Sequence, residues 1–473
     1  MGAASFLADK IASHLAFPPT ECQKRLFDTI AEFAVQYGES DILLVRGYAG
    51  TGKTSSIAAF VRTLKELGYK YVLLSPTGRS AKVLSGFTGE KASTIHKHIY
   101  RQKSLSGGVG EFQLNINKAK DTFFIVDEAS LISTSSAIMQ DSIFGSGDLL
   151  SDLIAFVRAG VDNKLVIIGD RGQLPPVGME QSPALDEIYM SQFGNVMVSD
   201  LSTVVRQAEG SGILTNATIV RSLLERGVAD VPRLRLGGFP DVERITGGDL
   251  IETLSDAVGR YGLDNIVVLC RSNKRANRYN AGIRSTVLYR EERLTRGDKL
   301  MVVKNCYQFL EDVPELDFIA NGDVAELRKI SHYEERYGLN FAEACLSFPD
   351  YNDVEITAKI ILDTLESEAP SLTADQSKAL FEGVSADYAD EKNARKRYQK
   401  VREDIYYNAL QIKYATAITC HKSQGGQWDC VFIDNPFWKE PELDDLKWLY
   451  TAITRGVRKV YFVNFKDEYF EKQ

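Results

Sequence analysis

Residues 47–54 read GYAGTGKT, a complete GxxxxGK[ST] pattern between the apolar run DILLVR at 41–46 and a helix-like stretch at 55–67. A run of this kind that ends in glycines and opens a helix specifies a strand–loop–helix unit. The glycines let the backbone wrap closely around phosphates, and the helix points the positive end of its dipole at them. Gly47, Ala49, Gly50, Thr51 and Gly52 are therefore expected to cradle a nucleotide. Lys53 would neutralise its β- and γ-phosphates, and Thr54 would ligand Mg²⁺. The alternative is a glycine-rich turn with an incidental lysine, which the strand before and the helix after argue against.

Further short apolar runs follow at 71–75, 122–126, 165–169 and 195–199, with a second set at 266–270, 415–419, 430–433 and 460–464. Unbroken β-branched runs without alternation suggest strands buried on both faces, as in parallel sheets flanked by helices. Two such sets predict two α/β domains. The second set is interrupted. GDKLMVVKNCY (297–307) and NGDVAELRKI (321–330) alternate like half-exposed antiparallel strands, and a charged, helical-looking segment covers 374–407. The expected layout is a first domain over 1–205, a second over 206–299 and 408–473, and a small β module with a helical appendage inserted at 300–407. A turn at Ser106-Gly107-Gly108 predicts a hairpin within about residues 100–120 of the first domain.

Two other strand ends carry chemistry. Asp127-Glu128 closes the third run: an Asp there can hold Mg²⁺, and an adjacent Glu can polarise an attacking water. The fourth run ends in GDRGQLPP, where Gln173 can reach a γ-phosphate and two prolines stiffen the loop. Three strands thus deliver polar loops to one edge, where open α/β sheets bind ligands. The residues alone specify an Mg-ATP hydrolase and leave open what hydrolysis drives.

The ordered segments GYAGTGKT, SPTGRSAKVL (75–84), STIHKHIY (93–100), VDEAS, GDRGQLPPVG, LSTVVRQ (201–207), ATAITCHKSQGGQWDCVFI (415–433) and LYTAITRG (449–456) together resemble a superfamily 1B helicase of the RecD-like and Dda-like group. The resemblance spans about residues 20–465. It implies two RecA-like P-loop NTPase domains, a small wedge in the first and an SH3-like β module in the second. It also implies ATP-driven 5′→3′ movement on single-stranded DNA with separation of duplex or fork DNA, and ATP and Mg²⁺ as cofactors.

Residue roles follow by position. Gln23 would read adenine, and Gln173 would sense the γ-phosphate and couple it to the DNA channel. Arg206 and Arg455 would reach ATP from the second domain's side. The family's ribose-binding glutamate is here Gln427, a neutral amide that can still hydrogen-bond a hydroxyl. Thr94, His96, His421, Lys422 and Ser423 match loops on which the single strand lies, and Phe112 would belong to the wedge. Thr77 and Gly78 fall at a helix N-terminus that can hold a phosphate. Arg271, Asn273, Lys274, Arg275 and Arg278 form a basic stretch that could grip phosphates or remain a solvated helix.

Composition limits the other readings. The 473 residues are 44% hydrophobic and 25% charged, which suits a globular protein. No apolar run approaches the roughly 20 residues of a membrane span, and the N-terminus does not read as a signal peptide. The six cysteines lack any CxxC pair and fit a reducing cytoplasm; apart from Mg²⁺, no metal site is expected. A net charge of −8 counts mildly against nucleic acid, although local basic faces can still bind phosphates. A monomer is expected. The competing functions are a single-strand translocase, an RNA helicase, a regulatory P-loop ATPase and a small-molecule phosphotransferase.

Overall fold

The structure is a computed structural model that describes residues 2–36, 42–102, 112–134, 146–203, 210–310, 313, 316 and 318–472. Six parallel strands form the first sheet, in the order Ala92–Thr94, Lys70–Ser75, Thr122–Val126, Lys164–Gly169, Ile42–Gly47 and Val196–Leu201. The side chains of its unbroken apolar runs alternate between two cores. Leu43 and Val45 pack with Ile57 and Phe60 on one face, while Ile42 and Leu44 pack with Leu153 and Ile167 on the other. That division is why these runs carry no polar alternation.

The second sheet is also parallel, in the order Ala417–Thr419, Ile266–Cys270, Trp428–Asp434, Gly456–Val463 and Val242–Ile245. The expected 205/206 boundary falls at residues outside the described set.

The insertion is a closed five-stranded barrel of Lys299–Val302, Val324–Arg336, Leu339–Phe348, Val354–Ile361 and Leu410–Tyr414. Its closing strand, Leu410–Tyr414, pairs with both Lys299–Val302 and Val354–Ile361, so it belongs to the barrel and not to the second sheet. The expected end of the insertion at 407 therefore comes too early. The charged segment folds as two helices, Ala374–Asp387 and Ala394–Glu403. Their buried residues, Leu380, Val384 and Val401, pack on Leu339 and Phe341 on the outer face of the barrel.

In the first domain, Tyr100–Gln102 and Phe112–Leu114 pair antiparallel, as a hairpin requires; the expected tip at 106–109 lies outside the described residues. Phe112, opposite Gln102 at the turn-side end of this pair, is buried against Tyr307 (ring centroids 5.3 Å apart) and Phe318 (6.4 Å) from the inserted segment. The barrel also touches the first domain elsewhere. Lys82 donates to Pro349 O at 2.7 Å. Gly78 lies against the Tyr351 ring so closely that a Cβ there would sit 2.5 Å from its hydroxyl oxygen.

Candidate functional site

The Ile42–Gly47 strand runs into the glycine loop and the Lys53–Glu66 helix. Gly52 caps that helix at φ +80°, a left-handed conformation that favours glycine. Lys53 donates to the carbonyls of Gly47 (2.6 Å) and Tyr48 (2.9 Å) and lies 3.7 Å from Asp170 Oδ2. Thr54 is in the first turn of the same helix.

Across the strand ends, Asp127 Oδ1 accepts the Glu128 N–H at 2.8 Å. Burial and the neighbouring Glu128 push the Asp127 carboxyl well above the usual carboxylate range, with Lys53 pulling it down. Glu128 has φ +53°, rare for a residue with a side chain and the kind of strain found where a group must be aimed. Gln173 is buried, and its Oε1 has no hydrogen-bond partner among the described residues.

The second domain completes the cleft through the Leu443–Ile453 helix. The Tyr450 hydroxyl accepts the Ala49 N–H and donates to Asp170 Oδ2, both at 2.7 Å. The next residue, Thr451, accepts the Leu174 N–H at 2.9 Å. Gln424 donates to Leu174 O at 2.6 Å. Arg455 is 3% exposed and donates to Thr451 O and Gly426 O, each at 3.2 Å, and to Thr454 Oγ1 at 3.3 Å. Among the described residues no carboxylate pairs with it. A guanidinium buried among neutral acceptors is costly unless an anion completes its environment. Arg206 lies outside the described residues.

Gln23 is fully buried. It caps its own helix through Thr20 and donates to Ser56 Oγ at 3.3 Å on the glycine-loop helix, so it adjoins the loop with its amide already engaged. The Gln427 side chain is exposed. The Gln427 backbone carbonyl accepts from Arg79, whose guanidinium lies 3.9 Å over the Trp428 ring. Arg79, Asp170, Trp428 and Tyr450 all lie within quoted motifs, but spacing alone does not show that they meet across the two domains.

The expected nucleic-acid loops converge beneath the barrel. Thr77 caps the Gly78–Thr88 helix with its side chain, as Thr94 caps the Ile95–Ile99 turn. His96 packs against Tyr100 and, at 5.8 Å, against Phe318; burial pushes its pKa down to about 4 and keeps the ring neutral. Lys422 donates to Asn321 of the insertion, and burial pulls its pKa down to about 8. His421 is exposed. Ser423 faces inward, its hydroxyl donated to Cys420 O at 2.7 Å, so its side chain does not line a channel.

The basic stretch is largely paired. Arg271 bonds Asp445 at 2.6 Å and Lys274 bonds Glu368 at 2.9 Å. Arg275 bonds the buried Asp434, which also accepts from Tyr279. Asn273 opens the Asn273–Gly282 helix, and Arg278 is exposed. The solvated or internally paired reading fits these residues better than a phosphate grip.

The site fits a nucleotide and its cation. The glycine loop has its left-handed turn, Arg455 has no carboxylate partner among the described residues, and Gln173 has a buried acceptor without a partner among them. Among the described residues no cluster of three His, Cys, Asp or Glu suggests another metal.

Comparison with known proteins agrees with this class of site. Residues 31–222 match the AAA domain family and residues 414–463 the UvrD-like helicase C-terminal domain family. The ATP-dependent RecD2 DNA helicase of Deinococcus radiodurans is 29% identical over 160 residues, covering 34% of this chain and 19% of the relative. The uncharacterized protein MJ1519 of Methanocaldococcus jannaschii is 23% identical, over 93% of this chain and 38% of that protein. The chain thus spans well under half the length of these two relatives. The ATP-dependent DNA helicase dda of Enterobacteria phage T4 is 25% identical, over 94% of this chain and 99% of its own. A Bacteroides Pif1 helicase solved with ADP-AlF3 and single-stranded DNA covers 97% of this chain and 95% of its own at 15% identity and a TM-score of 0.46. The class is that of paired-domain P-loop NTPases with a helicase-type C-terminal domain. Within it, the chain is similar to the ATP-dependent DNA helicases RecD2 and dda.

Proposed function

We propose that the protein is an ATP-dependent DNA helicase that moves 5′→3′ on single-stranded DNA and separates duplex ahead of it. The observation that carries this reading is the construction of the nucleotide cleft from both domains. The glycine loop, Asp127, Glu128 and Gln173 come from the first, while Tyr450, Thr451 and Arg455 come from the second. A site shared in this way makes the spacing of the domains depend on what the cleft holds. That dependence suits a motor better than a phosphotransferase, which needs only one P-loop domain.

Thr54 and Asp127 would hold Mg²⁺, which when bound would supply charge to offset that of the phosphates. Lys53 leaves the loop carbonyls to hold phosphate charge. Glu128, set at its strained φ, accepts a proton from the attacking water, and Gln173 orients that water through its open Oε1. Arg455 neutralises charge that develops on the transferred phosphoryl group, an effect worth about 10³–10⁵ in rate for such arginines.

We place the single strand along Thr77, Gly78, Thr94, His96, His421 and Lys422, under the barrel loops that carry Phe318, Asn321 and Tyr351. In that position the barrel would keep the strand on the motor, and the hairpin braced by Phe112 would block its complement. The test is unwinding of 5′-tailed, 3′-tailed and RNA-tailed duplexes by the full chain. Activity on 5′-tailed DNA alone is expected. Preference for a 3′ tail overturns the polarity, and preference for an RNA tail overturns the substrate.

A further inference from the structure

The helix that carries Tyr450 and ends just before Arg455 is tied to the first domain at adjacent residues. Tyr450 joins Ala49 of the glycine loop to Asp170 of the fourth strand's loop through one hydroxyl. Thr451 takes the Leu174 N–H from the same loop, and its carbonyl in turn holds Arg455 Nε. Hydrogen bonds at two consecutive residues of one helix therefore link the phosphate loop to the buried guanidinium. The Tyr450 ring is fully enclosed: it meets Tyr48 edge-on at 6.2 Å, and a Cβ on Gly172 would lie 2.9 Å from its Cε1. Only a residue without a side chain at 172 admits the ring in this position. The phenol stays protonated because burial, with Asp170 beside it, pushes its pKa far up. It can thus accept from Ala49 and donate to Asp170 at once.

We infer that the Tyr450 hydroxyl is a positioning residue for ATP hydrolysis: it sets the register of the second domain's helix on the phosphate loop and thereby aims Arg455 at the nucleotide. The inference rests on the nucleotide reading above. Tyr450 itself need not touch the nucleotide. Removing its hydroxyl leaves the ring packing in place but releases the Ala49 N–H and the Asp170 carboxylate. The loop, Lys53 and Thr54 remain to bind nucleotide, while the helix can slide and the guanidinium loses its aim. The loss should fall on kcat and not on binding.

The experiment compares the full-length parent with Tyr450→Phe, Arg455→Ala and the double variant. It measures DNA-stimulated kcat, affinity for a fluorescent ADP analogue, and melting temperature. Tyr450→Phe is expected to lower kcat about tenfold or more while nucleotide affinity stays within about threefold. In the Arg455→Ala background it should cause little further loss, because residues that act through one another are not additive. Parental kcat in Tyr450→Phe, or a loss that multiplies fully with that of Arg455→Ala, overturns the inference. If Tyr450→Phe melts early, Gly172→Ala tests the same register from the other side, since its methyl must displace the ring; the kcat-selective loss is again expected, and parental kcat there is refuting. Lys53→Ala, run alongside, separates the two levels: hydrolysis surviving in it refutes the nucleotide reading itself.

Discussion

Phe112→Ala tests the brace between the hairpin and the barrel. The ring is 6% exposed and sits against Tyr307 and Phe318. Truncating a buried phenylalanine costs about 3–5 kcal/mol in all. The two ring pairs account for about 0.5–1.5 kcal/mol each, so about 1–3 kcal/mol holds hairpin to barrel specifically. At 1.4 kcal/mol per factor of ten, the docked-to-undocked ratio falls about 5- to 150-fold. Phe112→Leu retains most of the volume and removes the ring pairing, which separates the brace from general packing. In a stopped-flow unwinding assay with 5′-tailed duplex, both variants should lose strand separation in that range, with DNA-stimulated phosphate release within about twofold of the parent. Equal losses of unwinding and hydrolysis in Phe112→Leu, with normal melting, would refute the brace as a part of strand separation. So would parental unwinding by Phe112→Ala.

Three further outcomes are expected. Glu128→Gln should bind ATP with near-parental affinity and lose steady-state phosphate release by orders of magnitude; robust turnover would show that another group polarises the water. Single-stranded DNA affinity, followed by fluorescence anisotropy, should fall with salt with a log–log slope of about −0.7 for each phosphate neutralised, in spite of the net charge of −8; a flat response would remove the proposed path. His96, held neutral with its pKa lowered from 6.5 to about 4, favours the folded state fully above pH 6.5 and loses that contribution as pH falls towards 4. Urea unfolding should therefore show about 2 kcal/mol more loss between pH 7 and pH 5 in the parent than in His96→Phe; parallel losses would contradict the burial of the ring.

The nucleotide half of the site was legible because its chemistry is local: a glycine loop, a lysine and a carboxylate pair each follow their own strand. The unbroken apolar runs likewise announced both parallel sheets, since strands buried on two faces cannot alternate. Contacts between distant segments were not legible. Tyr450 lies in a quoted motif, yet its role depends on Ala49 and Asp170, respectively 401 and 280 residues away. The barrel was half seen. Val324–Arg336 alternates, but Leu339–Phe348 buries residues from both sides of its pleat, one set in the barrel and one under the appended helices. The surroundings of the basic stretch were hidden for the same reason: its partners, Glu368, Asp434 and Asp445, come from remote elements.

The most direct measurement of the central claim, that one cleft shared by two domains couples ATP to a single strand, is the hydrolysis rate of the full chain with and without single-stranded DNA. Strong stimulation is expected, absent in Lys53→Ala and severely reduced in Arg455→Ala. Equal rates with and without DNA, or a stimulated rate that survives the loss of Arg455, would contradict it.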